Sequence, residues 1–254
     1  MKFTLIILLF LTFVSCNKEK YFDGPDHYSD DFEAYSKIED LIDGNDEKWS
    51  YFQLTFDENS LSVDSTFSHT GTQSMHFYAA VSTEEKGASK CSISKQKMAF
   101  YEGETVSVEA WYYLVGNETA NWLFLFDLEE QTAIGAGPGM RIAMVDNALR
   151  IEHKYFNPDI LQLNNDTVLF PRNEWVKVNF ESKLSKKKKG YVKVWQNDQL
   201  IIHQENWKTL PTDFLYSQQG TKGMYTSIEF GITANTHDNP IELYVDDIIV
   251  KKLD

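Results

Sequence analysis

The sequence predicts an all-β fold, an antiparallel β-sandwich of the jelly-roll kind, and three observations support this. From Phe32 onward the hydrophobic residues recur with a period of two, which is the period of a half-buried strand. The alternating segments are rich in branched and aromatic residues, and glycine, asparagine or proline separates them. No long segment has sustained helical spacing. Many strands joined by short turns are typical of sandwiches and jelly rolls.

The elements follow from this period in chain order. Ile38 to Ile42 has room for one helical turn at most. The glycine-rich segment from Gly135 to Gly139 has no phosphate-loop spacing and precedes no helix, so we expect a loop at the rim of a sheet. The clearest strands are predicted at residues 74–79, 105–114, 175–182, 191–196, 227–233 and 242–250.

The first sixteen residues are typical of an export signal. Lys2 is followed by an apolar run from Phe3 to Val14, which is shorter than the roughly 20 residues that a membrane-spanning helix needs. The sequence Phe13 to Cys16 resembles the lipobox of bacterial lipoproteins. That resemblance implies that Cys16 is acylated and anchors the protein in a bacterial cell envelope.

The domain boundaries follow from this start. We expect residues 1–15 to be a lipoprotein signal peptide, residues 16–29 a polar tether, and residues 30–254 a single β jelly-roll domain. The length suits one β-rich domain with a substantial core.

Charge and cysteine content exclude several functions. The formal net charge is −14, from 38 acidic and 24 basic residues, so the chain repels nucleic-acid phosphates and anionic lipid. The expected membrane link is therefore the acyl chain on Cys16. The second of the two cysteines, Cys91, lies in an alternating segment and is predicted to be a buried thiol, which leaves neither a disulfide nor a cysteine-based metal site.

The second half of the chain carries a recognisable order of parts. These are Glu102 to Trp111, Trp175 to Phe180, Gly190 to Asp198, Ile228 to Thr233 and Tyr244 to Val250. This order resembles a concanavalin A-like jelly roll, especially the polysaccharide lyases of the heparin-lyase and glucuronan-lyase type. The resemblance covers roughly residues 60 to 252 and implies the fold more strongly than an activity.

The catalytic positions of those lyases differ here. In the resembling lyases an Arg/Glu strand, a Gln-x-His strand and a Lys-x-Gly-x-Tyr strand supply the base, the acid and the group that neutralises a uronate carboxylate. The corresponding places are Lys90 to Ser94, Phe126 to Glu129, and Glu229 with Thr233. None matches, although Tyr225, Lys222 or His76 are possible substitutes.

Polar and aromatic side chains are nevertheless expected in a sugar-binding groove on a concave sheet. Asp127 and Glu129 alternate onto one side of a strand, and Glu229 lies on another strand of the same expected sheet. Sugar rings stack on aromatic faces, and Trp111 and Tyr113 share a face with a charged residue. The predicted ligand-binding residues are Trp111, Tyr113, Asp127, Glu129, Arg141 and Glu229.

Other residues are predicted to have structural roles. His153 alternates with Leu149 and Ile151 and is expected inside, with its hydrogen bonds satisfied. Trp122 alternates with two phenylalanines and is expected in the core. The four lysines from Lys186 to Lys189 are expected in a solvated turn, or as a basic docking point.

The sequence also offers a calcium site, although no cofactor is required. Asp31 and Glu33, with Trp49 and the segment from His69 to Met75, resemble the opening of jelly-roll carbohydrate-binding modules, in which an early acid and a late aspartate share a structural calcium. The resemblance implies ligands from Asp31 or Glu33 together with Asp246, and oxygen ligands suit calcium.

The sequence favours a lipid-anchored envelope protein that binds a polysaccharide without cleaving it. The first alternative is a polysaccharide-degrading enzyme, either a divergent lyase or a glycoside hydrolase with a pair of acids such as Asp127 and Glu129. The second alternative is a structural or adhesion lipoprotein that binds other envelope proteins.

Overall fold

The computed structural model describes residues 24–45, 47–132, 135–153, 156–163, 167–210, 224–235 and 239–253. The predicted signal peptide, Cys16 and most of the predicted tether lie outside these ranges, as does Lys222. None of the helices in the described ranges has the length and hydrophobicity needed to cross a membrane.

Almost all regular structure in the described residues is β-strand. A single 3-10 turn, Ile38–Leu41, confirms the one helical turn expected there. The strands are β1 His27–Asp30, β2 Tyr51–Leu54, β3 Ser60–Asp64, β4 Ser74–Ala79, β5 Ser89–Lys95, β6 Phe100–Tyr101, β7 Thr105–Leu114, β8 Leu123–Thr132, β9 Gly135–Val145, β10 Ala148–His153, β11 Phe156–Ile160, β12 Trp175–Lys183, β13 Gly190–Gln196, β14 Gln199–Trp207, β15 Met224–Asn235 and β16 Ile241–Leu253.

The strands form two eight-stranded antiparallel sheets. Sheet 1 has the order β14-β13-β12-β7-β16-β4-β3, and β1 also pairs with β16. Sheet 2 has the order β11-β10-β9-β8-β15-β5-β2, and β6 also pairs with β15. Neighbours within each sheet are often distant in sequence, as expected for a jelly roll. The predicted all-β sandwich is confirmed.

The core lies between the two sheets. Phe126 of β8 contacts Phe180 of β12 and Phe230 of β15, with ring centroids 5.5 and 5.4 Å apart. Because side chains alternate along a strand, Asp127 beside Phe126 and Glu229 beside Phe230 point to the outer face of sheet 2. Cys91 is buried in the core as expected, and burial raises the pKa of its thiol to about 12.

The N-terminal segment is fastened to the sandwich by a network around Asp30. Its carboxylate accepts hydrogen bonds from the Tyr35 hydroxyl at 2.6 Å, the Trp49 indole N–H at 2.8 Å and the Phe32 amide at 2.8 Å. Strand β1 begins at His27, which lies inside the segment predicted as a tether. The pairing of β1 with β16 places the last residues of that segment in sheet 1.

Two local predictions are wrong. The segment from Gly135 to Gly139 is the start of β9 rather than a rim loop, because it pairs with the end of β8. Trp122 is not in the core, since 39% of its surface is exposed. It precedes β8 with a φ of 56°, and this left-handed backbone interrupts the alternation that predicted burial.

Candidate active site on the outer face of sheet 2

Four of the six predicted ligand-binding residues come together on the outer face of sheet 2. Glu229 of β15 pairs with Asp127 of β8, and Asp127 pairs with Arg141 of β9. Glu129 is two residues along β8 on the same face. Carboxylate oxygens of Asp127, Glu129 and Glu229 lie within 4.8 Å of one another, and all three residues are buried. We call these three residues the carboxylate cluster.

Neighbouring side chains hold the cluster in place. The Ser92 hydroxyl donates to Oε1 of Glu229, and the Thr233 hydroxyl donates to Oδ1 of Asp127 at 3.2 Å. Nε of Arg141 lies 3.8 Å from Oδ1 of Asp127 and 3.6 Å from Oε1 of Glu152. Oε2 of Glu129 is buried and has no hydrogen-bond partner within the described part of the chain.

Crowding of carboxyl groups away from water shifts their pKa values. Burial, and then the charges of Asp127 and Glu129, raise the pKa of Glu229 to about 8. Burial and the charge of Asp127 raise the pKa of Glu129 to about 7. Burial also raises the pKa of Asp127, against the opposing charge of Arg141. The cluster therefore contains groups that gain or lose a proton near neutral pH.

The structure adds two residues that the sequence analysis did not select. Lys90 of β5 shares the outer face with Ser92, and its charge lowers the pKa of all three cluster carboxyls. Its ammonium group makes no ion pair or side-chain hydrogen bond with any described residue. Tyr51 of β2 pairs with Ser94, and burial, with the charges of Glu229 and Glu129, raises the pKa of its hydroxyl. Alternation of Lys90 with Ser92 and Ser94 was the signal available in the sequence.

Neutralising Glu229 is expected to stabilise the protein at alkaline pH. The pKa of Glu229 in the folded state, about 8, lies above the value of about 4.3 in the unfolded state. The carboxyl therefore contributes its full stabilisation to the free energy of unfolding below about pH 4.3, and this stabilisation is lost as the pH rises through about 8. Glu229→Gln avoids this loss. We expect a gain on the order of 2 kcal/mol, or about 4–8 °C in Tm, at pH 8.5 and little change at pH 4.5.

Thermal unfolding of both proteins at the two pH values checks this. The exposed Glu174→Gln variant serves as control and is expected to leave Tm unchanged at either pH. An equal Tm difference between Glu229→Gln and the wild type at pH 4.5 and 8.5 would contradict a raised pKa at Glu229.

Trp111 and Tyr113 do not belong to this site. Both lie on β7 of sheet 1, on the face opposite the core, so the prediction of one groove for all six residues is wrong. The loop between β3 and β4 covers them. The His69 ring stacks on Trp111 with centroids 3.7 Å apart, and Phe67 contacts Tyr113 at 4.5 Å. Within the described structure these aromatic rings pack beneath a loop.

The predicted calcium ligands accept hydrogen bonds from backbone amides, most of which belong to the same loop. The Glu33 carboxylate accepts N–H groups of Thr72 and Gln73, both at 2.7 Å. The Asp246 carboxylate accepts the amide of His69 at 2.8 Å, and Asp31 accepts the amide of Glu33 at 3.2 Å. Because these carboxylates face donors, a calcium ion would have to displace their hydrogen bonds. The residues do not fit a cation in this arrangement.

His153, the four lysines and Tyr225 lie away from the carboxylate cluster. His153 is buried and inward-facing as expected, with Nε2 3.1 Å from the Tyr225 hydroxyl, and burial lowers its pKa to about 3. The tetralysine segment joins β12 to β13, where Lys186 pairs with Glu102 at 3.4 Å and the next three lysines are exposed. The Tyr225 side chain is buried in the core, where its hydroxyl contacts His153, so it does not replace a lyase residue on the outer face.

Comparison with known protein families agrees with the observed fold. The chain belongs to the polysaccharide lyase family, whose profile matches residues 42–249. No curated protein matches the sequence. The predicted resemblance to polysaccharide lyases with a jelly-roll sandwich is confirmed.

Three solved structures are similar over nearly the whole chain. The endo-β-1,4-glucuronan lyase of the fungus Trichoderma reesei has a TM-score of 0.65 and 12% identity, covering 90% of this chain and 95% of that one. The cellulose-induced protein Cip1 has a TM-score of 0.62 and 19% identity, covering 88% and 96%. The alginate lyase Aly36B has a TM-score of 0.58 and 8% identity, covering 91% and 98%. At these identities the likeness establishes the fold.

Proposed function

We propose that this protein binds a uronate-containing polysaccharide along the outer face of sheet 2 and cleaves it by elimination at the carboxylate cluster. One observation carries the proposal. Two carboxyl groups, whose pKa values burial raises to about 7 and 8, lie within 4.8 Å of each other on the face that carries the ammonium of Lys90, in a member of the polysaccharide lyase family. Perturbed titratable groups of this kind are concentrated at catalytic sites.

The elimination needs three roles, and the cluster offers a residue for each. Lys90 neutralises the substrate carboxylate, which acidifies the adjacent C5–H bond. Glu129, partly ionised at pH 7, takes that proton, and the electron pair forms a C4=C5 double bond. The C4–O bond of the glycosidic link breaks, and protonated Glu229 donates its proton to the leaving oxygen. Asp127 keeps Arg141 in place and raises the pKa of both acids by its charge.

This assignment departs from the sequence-based preference for non-catalytic binding. That preference depended on the missing arginine, Gln-x-His and lysine of the resembling lyases. Here a lysine and two glutamates, one in each of the three segments that correspond to those lyase strands, would take those roles. Two similar structures are named lyases of glucuronan and of alginate, which supports a uronate polymer as the substrate class.

A second candidate is hydrolysis with retention of configuration. The separation of the cluster oxygens, within 4.8 Å, is compatible with the roughly 5–5.5 Å between carboxyl groups that such hydrolases use. Binding without cleavage is the third outcome, and the replaced lyase residues favour it.

A panel of neutral and uronate-containing polysaccharides distinguishes these functions. Elimination creates a conjugated double bond, so we expect ultraviolet absorbance and new reducing ends to rise together with a uronate polymer. New reducing ends without absorbance would indicate hydrolysis. Retarded migration in polysaccharide gels without either product would indicate binding alone and overturn the enzymatic proposal.

From the sequence, we also propose that Cys16 carries a lipid that fixes the protein to a bacterial membrane, where a tethered site needs only modest affinity for a polymer. Full-length protein expressed in a bacterial host is expected in the detergent-soluble membrane fraction, and Cys16→Ser is expected to leave it. An unchanged distribution of Cys16→Ser would contradict lipidation.

A further inference from the structure

An exposed tryptophan lies on the same face of sheet 2 as the carboxylate cluster. The Trp122 ring contacts Phe124 with centroids 6.3 Å apart, and Cζ of Arg150 is 5.6 Å from its centroid. Cζ of Arg141 lies 4.6 Å over the Phe124 ring. Since Arg141 also pairs with Asp127, side-chain contacts run without interruption from Trp122 to the cluster.

Strand register places Phe124 and Arg150 on the outer face of sheet 2, because a register shift between Phe124 and Phe126 reverses the alternation within β8. Arg150 of β10 pairs with Ala143 of β9, and Ala143 pairs with Phe124 of β8. The side chains of Phe124 and Arg141 lie between Trp122 and Asp127 in this series of contacts. This separation exceeds a single sugar ring, so a ligand touching both places has to be a chain of sugars.

A cavity opens beside Arg150. Its volume is about 390 Å³, within the usual range for ligand pockets, and its polar lining comes from Asp146, Arg150, Gln162 and Thr167. The ion pair of Arg150 with Asp159 is long, 3.6 Å from Nη1 to Oδ2, which leaves guanidinium N–H groups for a ligand oxygen.

We infer that Trp122 and the cavity beside Arg150 form a distal sugar-binding subsite, which holds the same polysaccharide chain at a distance from the carboxylate cluster. This inference rests on the proposed function for the position of the bond to be cleaved. The indole gives a flat apolar surface for the C–H face of a sugar ring. Arg150 supplies donors for hydroxyl or carboxylate oxygens of the next sugar.

The ligand of this subsite is inferred from its connection, by side-chain contacts, to the carboxylate cluster. An exposed aromatic ring beside arginines and a small cavity of mixed polar and apolar lining fits a sugar chain better than a protein, whose interface needs a larger desolvated centre. The subsite therefore contributes affinity for long substrates without touching the reacting atoms, and short oligosaccharides bound at the cluster do not reach it.

Substrate length provides the test. With the full-length protein and a cleaved uronate polymer, Trp122→Ala is expected to raise KM by about 2- to 13-fold and to leave kcat unchanged, which is the fold-change that a stacking contribution of about 0.5–1.5 kcal/mol gives at about 1.4 kcal/mol per factor of ten. For the shortest oligosaccharide that is still cleaved, both constants are expected to stay as in the wild type. Trp122→Phe keeps an aromatic face and is expected to recover most of the affinity.

Polymer binding is measured separately from cleavage. Gel retardation of Glu229→Gln and of the Glu229→Gln, Trp122→Ala double variant compares affinities when no cleavage occurs, and matching Tm values exclude misfolding. Unchanged retardation, or an equal loss with short and long substrates, would overturn the subsite. If no polysaccharide is cleaved but Trp122→Ala weakens retardation, the subsite stands and the lyase proposal fails.

Discussion

Replacing Glu229 with glutamine is expected to reduce polysaccharide cleavage by about 10²–10⁴-fold, the usual contribution of a general acid. Glutamine keeps the volume of the side chain and an oxygen for the Ser92 hydroxyl, but has no proton to donate to a leaving oxygen. The measurement is kcat/KM on the polysaccharide that the wild type cleaves fastest. Substrate binding is expected to persist, because the cation of Lys90 is unchanged.

The pH profile separates this role from a structural one. A base with a pKa of about 7 and an acid with a pKa of about 8 predict a bell-shaped rate with its maximum between those values. Glu129→Gln should also lose activity. Glu152→Gln is a matched control, since Glu152 lies on the same face and contacts Arg141 outside the cluster. Full activity in Glu229→Gln would exclude Glu229 as the acid.

The strands were predictable because local physics determines them. The period of two gave β4 and β7 with their bounds, since branched and aromatic residues alternate there with polar ones. The same alternation correctly placed Asp127 and Glu129 together on one side of β8. The face of a strand on which a side chain lies depends only on its position along that strand, so it can be predicted directly from the sequence.

Which sheet a strand joins is not local. Trp111 and Tyr113 point away from the core, as the alternation in the sequence indicates. However, β7 pairs with β12 and β16 in sheet 1, away from the carboxylate cluster. Alternation sets the face and leaves the pairing partner open. Lys90 was missed for the related reason that its significance depends on β15 lying beside β5. Only the assembled sheet brings that ammonium near Glu229.

Gly231 is expected to be the position where a small substitution costs the most stability. Its φ is +108°, and an added Cβ would lie 2.6 Å from Cδ1 of Phe77 and 2.9 Å from the carbonyl oxygen of Cys91. Phe77 is fully buried in sheet 1, and Cys91 belongs to the neighbouring strand of sheet 2. Neither group can move without separating packed strands, so Gly231→Ala combines backbone strain with overpacking.

We expect Gly231→Ala to destabilise the protein by about 3 kcal/mol or more, which lowers Tm by about 6–12 °C. Gly44→Ala is the matched control, because Gly44 also has a positive φ, +76°, but open space around its Cβ position. The difference between the two variants in thermal unfolding measures the clash apart from the strain. Equal losses would show that β15 has room at Gly231. A larger loss at Gly231 would show that close contact between the sheets fixes the strand that carries Glu229, and so connects the packing of the core to the geometry of the carboxylate cluster.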